Sequence, residues 1–491
     1  MAQRYENSGV LGELQEGINA LLIANGFIPE NHHMKSTCLN NLGNSFYVRF
    51  NRLGNIADLH QAIQAQQQAV ILIPDGHPDK PGRLTNLGIS FQSRFERLGD
   101  IADLDEAVTA QQQAVTLTPD SHPDKPQCLR NLGTSFENRF RRLGNIADLD
   151  EAITVQQRAV TLTPDGHPDK PGCLANLGNS FESRFQRLGN IADLDGAIRS
   201  FSQSAKPLYG PPSVRFASAR KWATLCFSVP SIEILDAYST LVDLIPRVVW
   251  VGRTVEQRYH EILRIGYAVV DAAAAAIHFG KFGLALEWLE QGRSIVWGQM
   301  LQLRTPLDEL RQHHPNEADE LELVSRALDS AGVAPDLDHS SDSAPQSLEL
   351  VAQAHRRRAE EYDHILARIR NFPSFSDFLR PKKSISLCGA AVSGPVVVVN
   401  ASSICCDALI LLPHSSRVSH VPLPALQISA LQGMQLQLAT REANTIERHH
   451  APHKDMELSG ILEKLWLYIV EPILRHLKVG YFHPLVFGER Y

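Results

Sequence analysis

Two polar side chains recur along this chain at a spacing suited to recognition chemistry. Asparagine stands at Asn41, Asn86, Asn131 and Asn176, and arginine at Arg52, Arg97, Arg142 and Arg187, each set stepping by 45 residues. A primary amide donates and accepts at once, so a column of them can hold peptide backbone whatever its side chains. A guanidinium column beside it favours carboxylates through forked hydrogen bonds. A third position varies along the same line, as Val48, Ser93, Asn138 and Ser183. The expected chemistry is capture of an extended, acid-bearing segment, from another protein or from this chain's own C-terminal part. The same residues admit an internal use, with Asn bonding between repeat units and Arg pairing with acids such as Glu106.

Residues for bond-breaking or metal chemistry do not assemble in the same way. The sequence has no Walker-type GxxxxGK[ST], no HExxH and no EF-hand loop. His32, His77, His122 and His167 also step by 45 residues. One ring per stacked unit leaves successive rings a unit apart, whereas a metal needs several ligands at about 2 Å. Loop packing is the expected role of these histidines. His32-His33 and His449-His450 lie in polar loops, and the Arg356-Arg357-Arg358 run is answered at once by Glu360-Glu361. Neither a metal nor a cofactor is expected.

The columns need helices to position them. Leu-Gly pairs close on Gly43, Gly88, Gly133 and Gly178, followed by Phe46, Phe91, Phe136 and Phe181, all in one phase. In the copy between Pro81 and Pro119, Leu84, Leu87, Gly88, Phe91, Phe95 and Leu98 follow helical spacing and fall on one face. Asp79 is placed to cap this helix, with Pro81 in its first turn, and Gly99 ends it. Gly88 gives room for a neighbouring helix. A second helix is expected to open at Asp103 with Glu106 completing a capping box, as Asp148 and Glu151 repeat. Leu104, Ala107, Val108, Ala114 and Val115 form its apolar stripe, and Pro119 stops it. Asn86, Ser93 and Arg97 fall opposite the apolar face of the first helix, so they are expected to be exposed there.

These residues resemble the tetratricopeptide (TPR) repeat, on whose pattern Leu84, Leu87-Gly88, Phe91, Ala107, Ala114 and Pro119 can be laid in order. The family unit is 34 residues, eleven fewer than here. Seven of the extra residues lie between the helices' anchor points and amount to about two helical turns, which lengthens the first helix without turning its apolar face. The resemblance implies an α-solenoid whose first helices line a concave groove. In relatives that clamp extended peptides, an asparagine ladder stands at this point of the first helix.

Composition bounds the rest. The chain has 491 residues, a formal charge of −7 and seven scattered cysteines without a CxxC pair. That charge argues against a nucleic-acid binder, and the cysteines read as reduced thiols, Cys128 and Cys173 as small buried apolar residues. No run of 18 apolar residues occurs, and the N-terminus is polar, so a cytoplasmic protein without membrane contact is expected.

The organisation expected is a repeat array over residues 1–210, whose residues 9–30 form the second helix of a degenerate unit. Degenerate TPR-like helices follow over 211–305, at 215–226, 231–245, 256–278 and 285–303, with Ala285 and Leu289 as packing positions. Charged helices span 306–371, at 317–327 and 352–371, around a disordered linker over 330–347. An α/β segment occupies 372–491. Its short apolar runs at 396–399, 408–412 and 418–423 are expected to be buried strands, followed by helices at 425–439 and 458–477.

This order resembles the TPR–CHAT proteins abundant in fungi, also described as aromatic-di-alanine and TPR proteins. The residues that carry it are Leu286-Glu287-Trp288-Leu289-Glu290-Gln291-Gly292-Arg293, Gln302-Leu303-Arg304-Thr305-Pro306-Leu307 and Phe378-Leu379. Gly394-Pro395-Val396-Val397-Val398-Val399-Asn400 and Cys406-Asp407-Ala408-Leu409-Ile410 complete the set. The resemblance implies a caspase-like (CHAT) domain, whose proteolytic members use a His-Gly histidine and a cysteine after a later strand. This sequence has no His-Gly dipeptide, and Cys405 and Cys406 precede a strand. The expectation is therefore a mainly α chain, a TPR-like α-solenoid with a partial CHAT-like tail, acting as a noncatalytic scaffold for a protein or peptide. The alternative is a fragment or splice form of a TPR–CHAT cysteine peptidase lacking its catalytic half. The tail's strands are expected to lack sheet partners and to aggregate or bind a partner.

Overall fold

In a computed structural model of the chain, residues 11–227, 233–249, 255–293, 303–332, 346–445 and 453–478 are described. They divide into two compact units, Met1–Ser231 with Val333–Glu360, and Ile232–Gly332 with Glu361–Tyr491.

The first unit is a succession of antiparallel helical pairs. After α1 (Leu11–Phe27) come α2 (His33–Leu53) with α3 (Ile56–Ile71), α4 (Lys80–Leu98) with α5 (Ile101–Leu117), and α6 (Lys125–Leu143) with α7 (Ile146–Leu162). The last copy is α8 (Lys170–Leu188) with α9 (Ile191–Ala205), against which α10 (Pro212–Cys226) packs. α1 stands where the second helix of a preceding unit would be, as its phase predicts. One buried cluster joins Leu59 and Ile63 of α3, Leu87 and Phe91 of α4, and Ala107 of α5. Each hairpin thus completes its core on its neighbour, the defining property of an α-solenoid. The array is TPR-like in this sense.

The turns show why the two helices stop and start where they do. Gly54, Gly99, Gly144 and Gly189 adopt φ between 69° and 77°, a conformation that costs glycine little, and each N–H returns to a phenylalanine carbonyl at 2.7 Å. The following helix is capped earlier than the capping box suggests. Asn55, Asp100, Asn145 and Asn190 are the N-caps, accepting from Ala57, Ala102, Ala147 and Ala192 at 3.0–3.2 Å. Asp103 and Asp148 are therefore not caps. Asp79 sits at the N-cap of α4 but makes no capping bond; His77 Nδ1 accepts the Asp79 N–H at 3.1 Å, and His122 and His167 do the same for Asp124 and Asp169. His32 Nδ1 accepts from Met34 N–H instead.

The aspartates expected as caps are buried and paired. Arg49, Arg94, Arg139 and Arg184 of the first helices reach Asp58, Asp103, Asp148 and Asp193 of the second, with closest contacts of 2.5–2.6 Å. Each guanidinium also lies 5.3–5.8 Å from the centroid of Phe46, Phe91, Phe136 or Phe181. Three of the four then reach back one unit, Arg139 to Asp105 at 3.0 Å, Arg184 to Asp150 at 2.6 Å and Arg49 to Gln15 at 2.5 Å.

A lysine fixes the other end of each joint. The Nζ atoms of Lys35, Lys80, Lys125 and Lys170 donate to two carbonyls at the end of the preceding second helix, at 2.6–3.1 Å. They satisfy acceptors that a helix end leaves open. Arg215, 45 residues beyond Lys170, donates to Ala205 O at 3.2 Å. The repeat logic thus continues into α10, within the span expected to hold degenerate repeats.

Gly88 allows the close approach expected of it: a Cβ there would lie 2.7 Å from Gln111 Cγ. The last position of the predicted apolar face differs. Leu53, Leu98, Leu143 and Leu188 are 51–55 % exposed, because each precedes the glycine that ends its helix and overshoots the packed turns.

In the second unit, α11 (Glu233–Val248), α12 (Val255–His278) and α13 (Phe282–Arg293) precede α14 (Asp308–His313) and α15 (Pro315–Gly332). α12 packs on α13, where Ala285 is fully buried and Leu289 half-buried. Residues 9–10, 231–232, 294–302 and 333–345 of the expected elements, and His449-His450, lie outside the described residues. α16 (Gln346–Ile369) begins in the segment assigned to the first unit and ends in the second, past Glu360. After a short helix α17 (Ser384–Cys388), β1 (Val396–Ala401), β2 (Cys406–Leu411) and β3 (Val418–Pro422) form an antiparallel sheet in the order β1-β2-β3. Asn400 stands opposite Asp407, and Leu409 opposite His420. The strands therefore have sheet partners, contrary to expectation. Only β2 is buried throughout; β1 alternates, with Val397 and Val399 at 37 % and 40 % exposure. α18 (Ile428–Thr445), α19 (His453–Leu465), a π-helical turn at Trp466–Val470 and α20 (Glu471–His476) complete the unit.

Substituting Arg139→Ala strands the buried Asp148 carboxylate and should destabilise the array by about 3 kcal/mol in chemical denaturation. Glu151→Ala, on the exposed side of the same helix as Asp148, should change it by less than about 0.5 kcal/mol. Equal effects would contradict the reassignment of Asp148 from cap to buried partner.

Candidate binding surface of the repeat array

The first helices of successive hairpins form one polar layer. Tyr47 Oη and Ser93 Oγ are 3.0 Å apart, Ser135 Oγ donates to Gln92 Oε1 at 3.4 Å, and Lys221 of α10 pairs with Glu182 of α8. The predicted columns lie on these same helices.

The arginine column is exposed as predicted. Arg52, Arg97, Arg142 and Arg187 occupy the last turn of α2, α4, α6 and α8, where a cation also complements the helix dipole. Among the described residues none of the four makes an ion pair or hydrogen bond with another side chain. The asparagine column is more recessed than predicted. Asn41 is exposed, but Asn86, Asn131 and Asn176 are half-buried. Asn86 donates to Asn40 Oδ1 at 3.3 Å and Asn176 to Thr134 Oγ1 at 3.4 Å, so both bridge neighbouring first helices. Asn131 accepts from Gln127 at 2.8 Å, and its buried Nδ2 lacks a partner. Ser93, Asn138 and Ser183 are half-buried beside them.

Sequence reading missed two features of this layer. The exposed Leu53, Leu98, Leu143 and Leu188 follow directly on the free arginines, so every turn presents an Arg-Leu pair. The Arg-Leu-Gly recurrence carried that signal, since a residue just before a terminating glycine is past the last packed turn. The second is a carboxylate, Glu137 of α6, only 5 % exposed, held by Arg141 at 2.5 Å. Burial pushes its carboxyl above the ordinary value of 4.5, against the pull of Arg141 and Lys221.

Cys405 and Cys406 of the second unit face the wrong neighbours for nucleophilic chemistry. Burial, reinforced by the adjacent Asp407 carboxylate, pushes the Cys405 thiol up to about 12, and burial also raises Cys406. A nucleophilic cysteine needs the opposite shift. The nearby imidazole of His420 is engaged by Asp407 at 2.7 Å and stacks on Phe282.

No family model matches this chain. No curated protein matches it either. Among solved structures it is similar to a Podosopora anserina protein of nearly identical TPR-like repeats, at 15 % identity and TM-score 0.32, over 42 % of this chain and 94 % of that one. It is also similar to the Assembly Chaperone of RpL4 (Acl4), at 13 % identity and TM-score 0.25, over 66 % of this chain and 98 % of that one. Among the described residues, no helix is long and apolar enough to cross a membrane.

Because the Glu137 carboxyl is raised in the fold, its contribution to stability falls as pH climbs from 4.5 through the raised value. Glu137→Gln, which copies Gln92 one unit earlier, should therefore raise the thermal midpoint at neutral pH and lose that gain as pH drops below the ordinary carboxylate range. A gain that is the same at both pH values would show that burial of the charge is not its cause.

Proposed function

We propose that the array is a noncatalytic scaffold that binds an extended, acid-bearing segment along its first helices. The observation that carries this reading is the column of four exposed arginines that pair with no described side chain, in a chain whose formal charge is −7. Carboxylates accept forked hydrogen bonds from guanidinium, and the adjoining leucines add an apolar contact at each turn. Asn41 and the unpartnered amide of Asn131 supply backbone contacts. Asn86 and Asn176 would have to exchange long bonds between helices for bonds to the ligand. The segment is one from another protein or from this chain's own C-terminal part.

The other reading, a fragment or splice form of a TPR–CHAT cysteine peptidase, gains no support from Cys405 or Cys406, whose thiols are held protonated.

The test uses a labelled library of extended Glu- and Leu-containing peptides. Replacing Arg52, Arg97, Arg142 and Arg187 together by Gln should weaken the best binder at least about tenfold, since each lost charged contact is worth some tenths of a kcal/mol or more. The melting transition should barely move. Undiminished binding by the variant would sink the proposal.

A further inference from the structure

We propose that the free edge of β1 pairs with β1 of a second copy of this chain, extending the sheet across a two-fold axis. Among the described residues, β1 pairs with β2 on one side and with no strand on the other. Beyond the sheet ladder, no backbone hydrogen bond to another described residue involves Val396–Ala401; the chain turns into β1 after the Gly394 N–H bonds Ala391 and leaves through the Ser402 N–H to Cys405. The Asn400 side chain donates to Val270 O of α12 at 3.0 Å, which anchors the end of the strand without occupying its backbone row. Among the described residues, no other strand meets the Val396–Val399 part of this edge, while α12 lies against its buried Asn400 end.

Exposed edges are ordinarily blunted by charge, proline, a bulge or a cover. The other edge, β3, has such features: Pro422 lies within it, and Ser419 Oγ meets His476 Nε2 at 2.8 Å. β1 has no charge, proline or bulge. Its sequence is Val-Val-Val-Val-Asn-Ala, and its register with β2 is unbroken. Pro395 precedes it and limits pairing to this segment.

The strand's own chemistry favours a second copy as the occupant. Antiparallel self-pairing about a two-fold axis sets the axial residue against its own copy and every remaining residue against another of the same strand. With no charge in Val396–Ala401, no like-charged pair can arise. In the register that places Val398 opposite its own copy, the half-exposed Val397 meets Val399 of the other strand, a pair of β-branched side chains on one face. The buried β2 behind it gives the extended sheet a solid centre. Such a dimer would carry two repeat arrays and could engage a bivalent partner more tightly than either array alone.

The full chain is tested by sedimentation velocity over a concentration series, with amide exchange followed in residues 396–401. The wild type should shift toward twice its 54.5 kDa mass with increasing concentration, and the β1 amides should become protected in step. Val397→Lys with Val399→Lys should restore the 54.5 kDa species by placing like charges opposite each other, while Val397→Thr with Val399→Thr should still dimerise. A wild type that stays monomeric throughout, as expected if the edge serves a strand from a different protein, overturns the proposal. So does dimerisation without β1 protection, or a folded Lys variant that dimerises unchanged. The wild-type exchange series decides the matter if the Lys variant fails to fold.

Discussion

The array depends on one buried ion pair repeated four times. A carboxylate such as Asp148, 3 % exposed, is tolerable in a helix interface only because a forked guanidinium meets it there. The pair fixes the register between the two helices of a hairpin. Arg139 and Arg184 also reach an aspartate of the preceding hairpin, and so fix the register between hairpins. With rotation and height set in this way, the side chains three residues further along the first helices fall into columns. The exposed arginines are aligned because the half-buried ones, held by buried aspartates, are.

Much of this order was legible because apolar period, glycine stops and proline punctuation are local signals. Leu84, Leu87, Phe91, Ala107 and Ala114 are buried as their spacing requires. What could not be read was the destination of polar side chains. Asp103 has the type and position of a helix-start acid, but only the folded hairpin brings Arg94 against it. The true caps, Asn55, Asp100, Asn145 and Asn190, stand just after the terminating glycines, three residues before the positions expected to open the helix. Lys125 likewise carries no local signal of its role, since its ammonium closes the end of the previous helix only in the folded array. At the candidate surface, helical angle identified the exposed arginines correctly but overestimated the exposure of the asparagines, because Asn86 and Asn176 turn toward the neighbouring first helix.

The copies are not interchangeable, and their differences have local physical consequences. Gln66 lies against Gly43 and donates to Asn44 at 3.0 Å. One unit later Ile89 replaces that asparagine, and the buried Gln111 amide has no partner. In the last copy Phe201 fills the space beside Gly178, and it is Asn179 whose oxygen is left unpaired. The glutamine and asparagine that match in the first copy are thus separated in later ones. The backbone solution is common to all copies while the polar details differ. Against that variation, the four free arginines and their adjacent leucines recur in every copy.

A partner lying along this recurring Arg-Leu edge of the first helices would leave a direct mark on backbone exchange. Amide hydrogen exchange of the full chain, with and without an extended Glu- and Leu-containing peptide that it binds, is the measurement that reads it. Protection should concentrate in the last turns of the first helices, at residues 49–54, 94–99, 139–144 and 184–189. Protection confined to the second helices, with those turns unchanged, would contradict that placement.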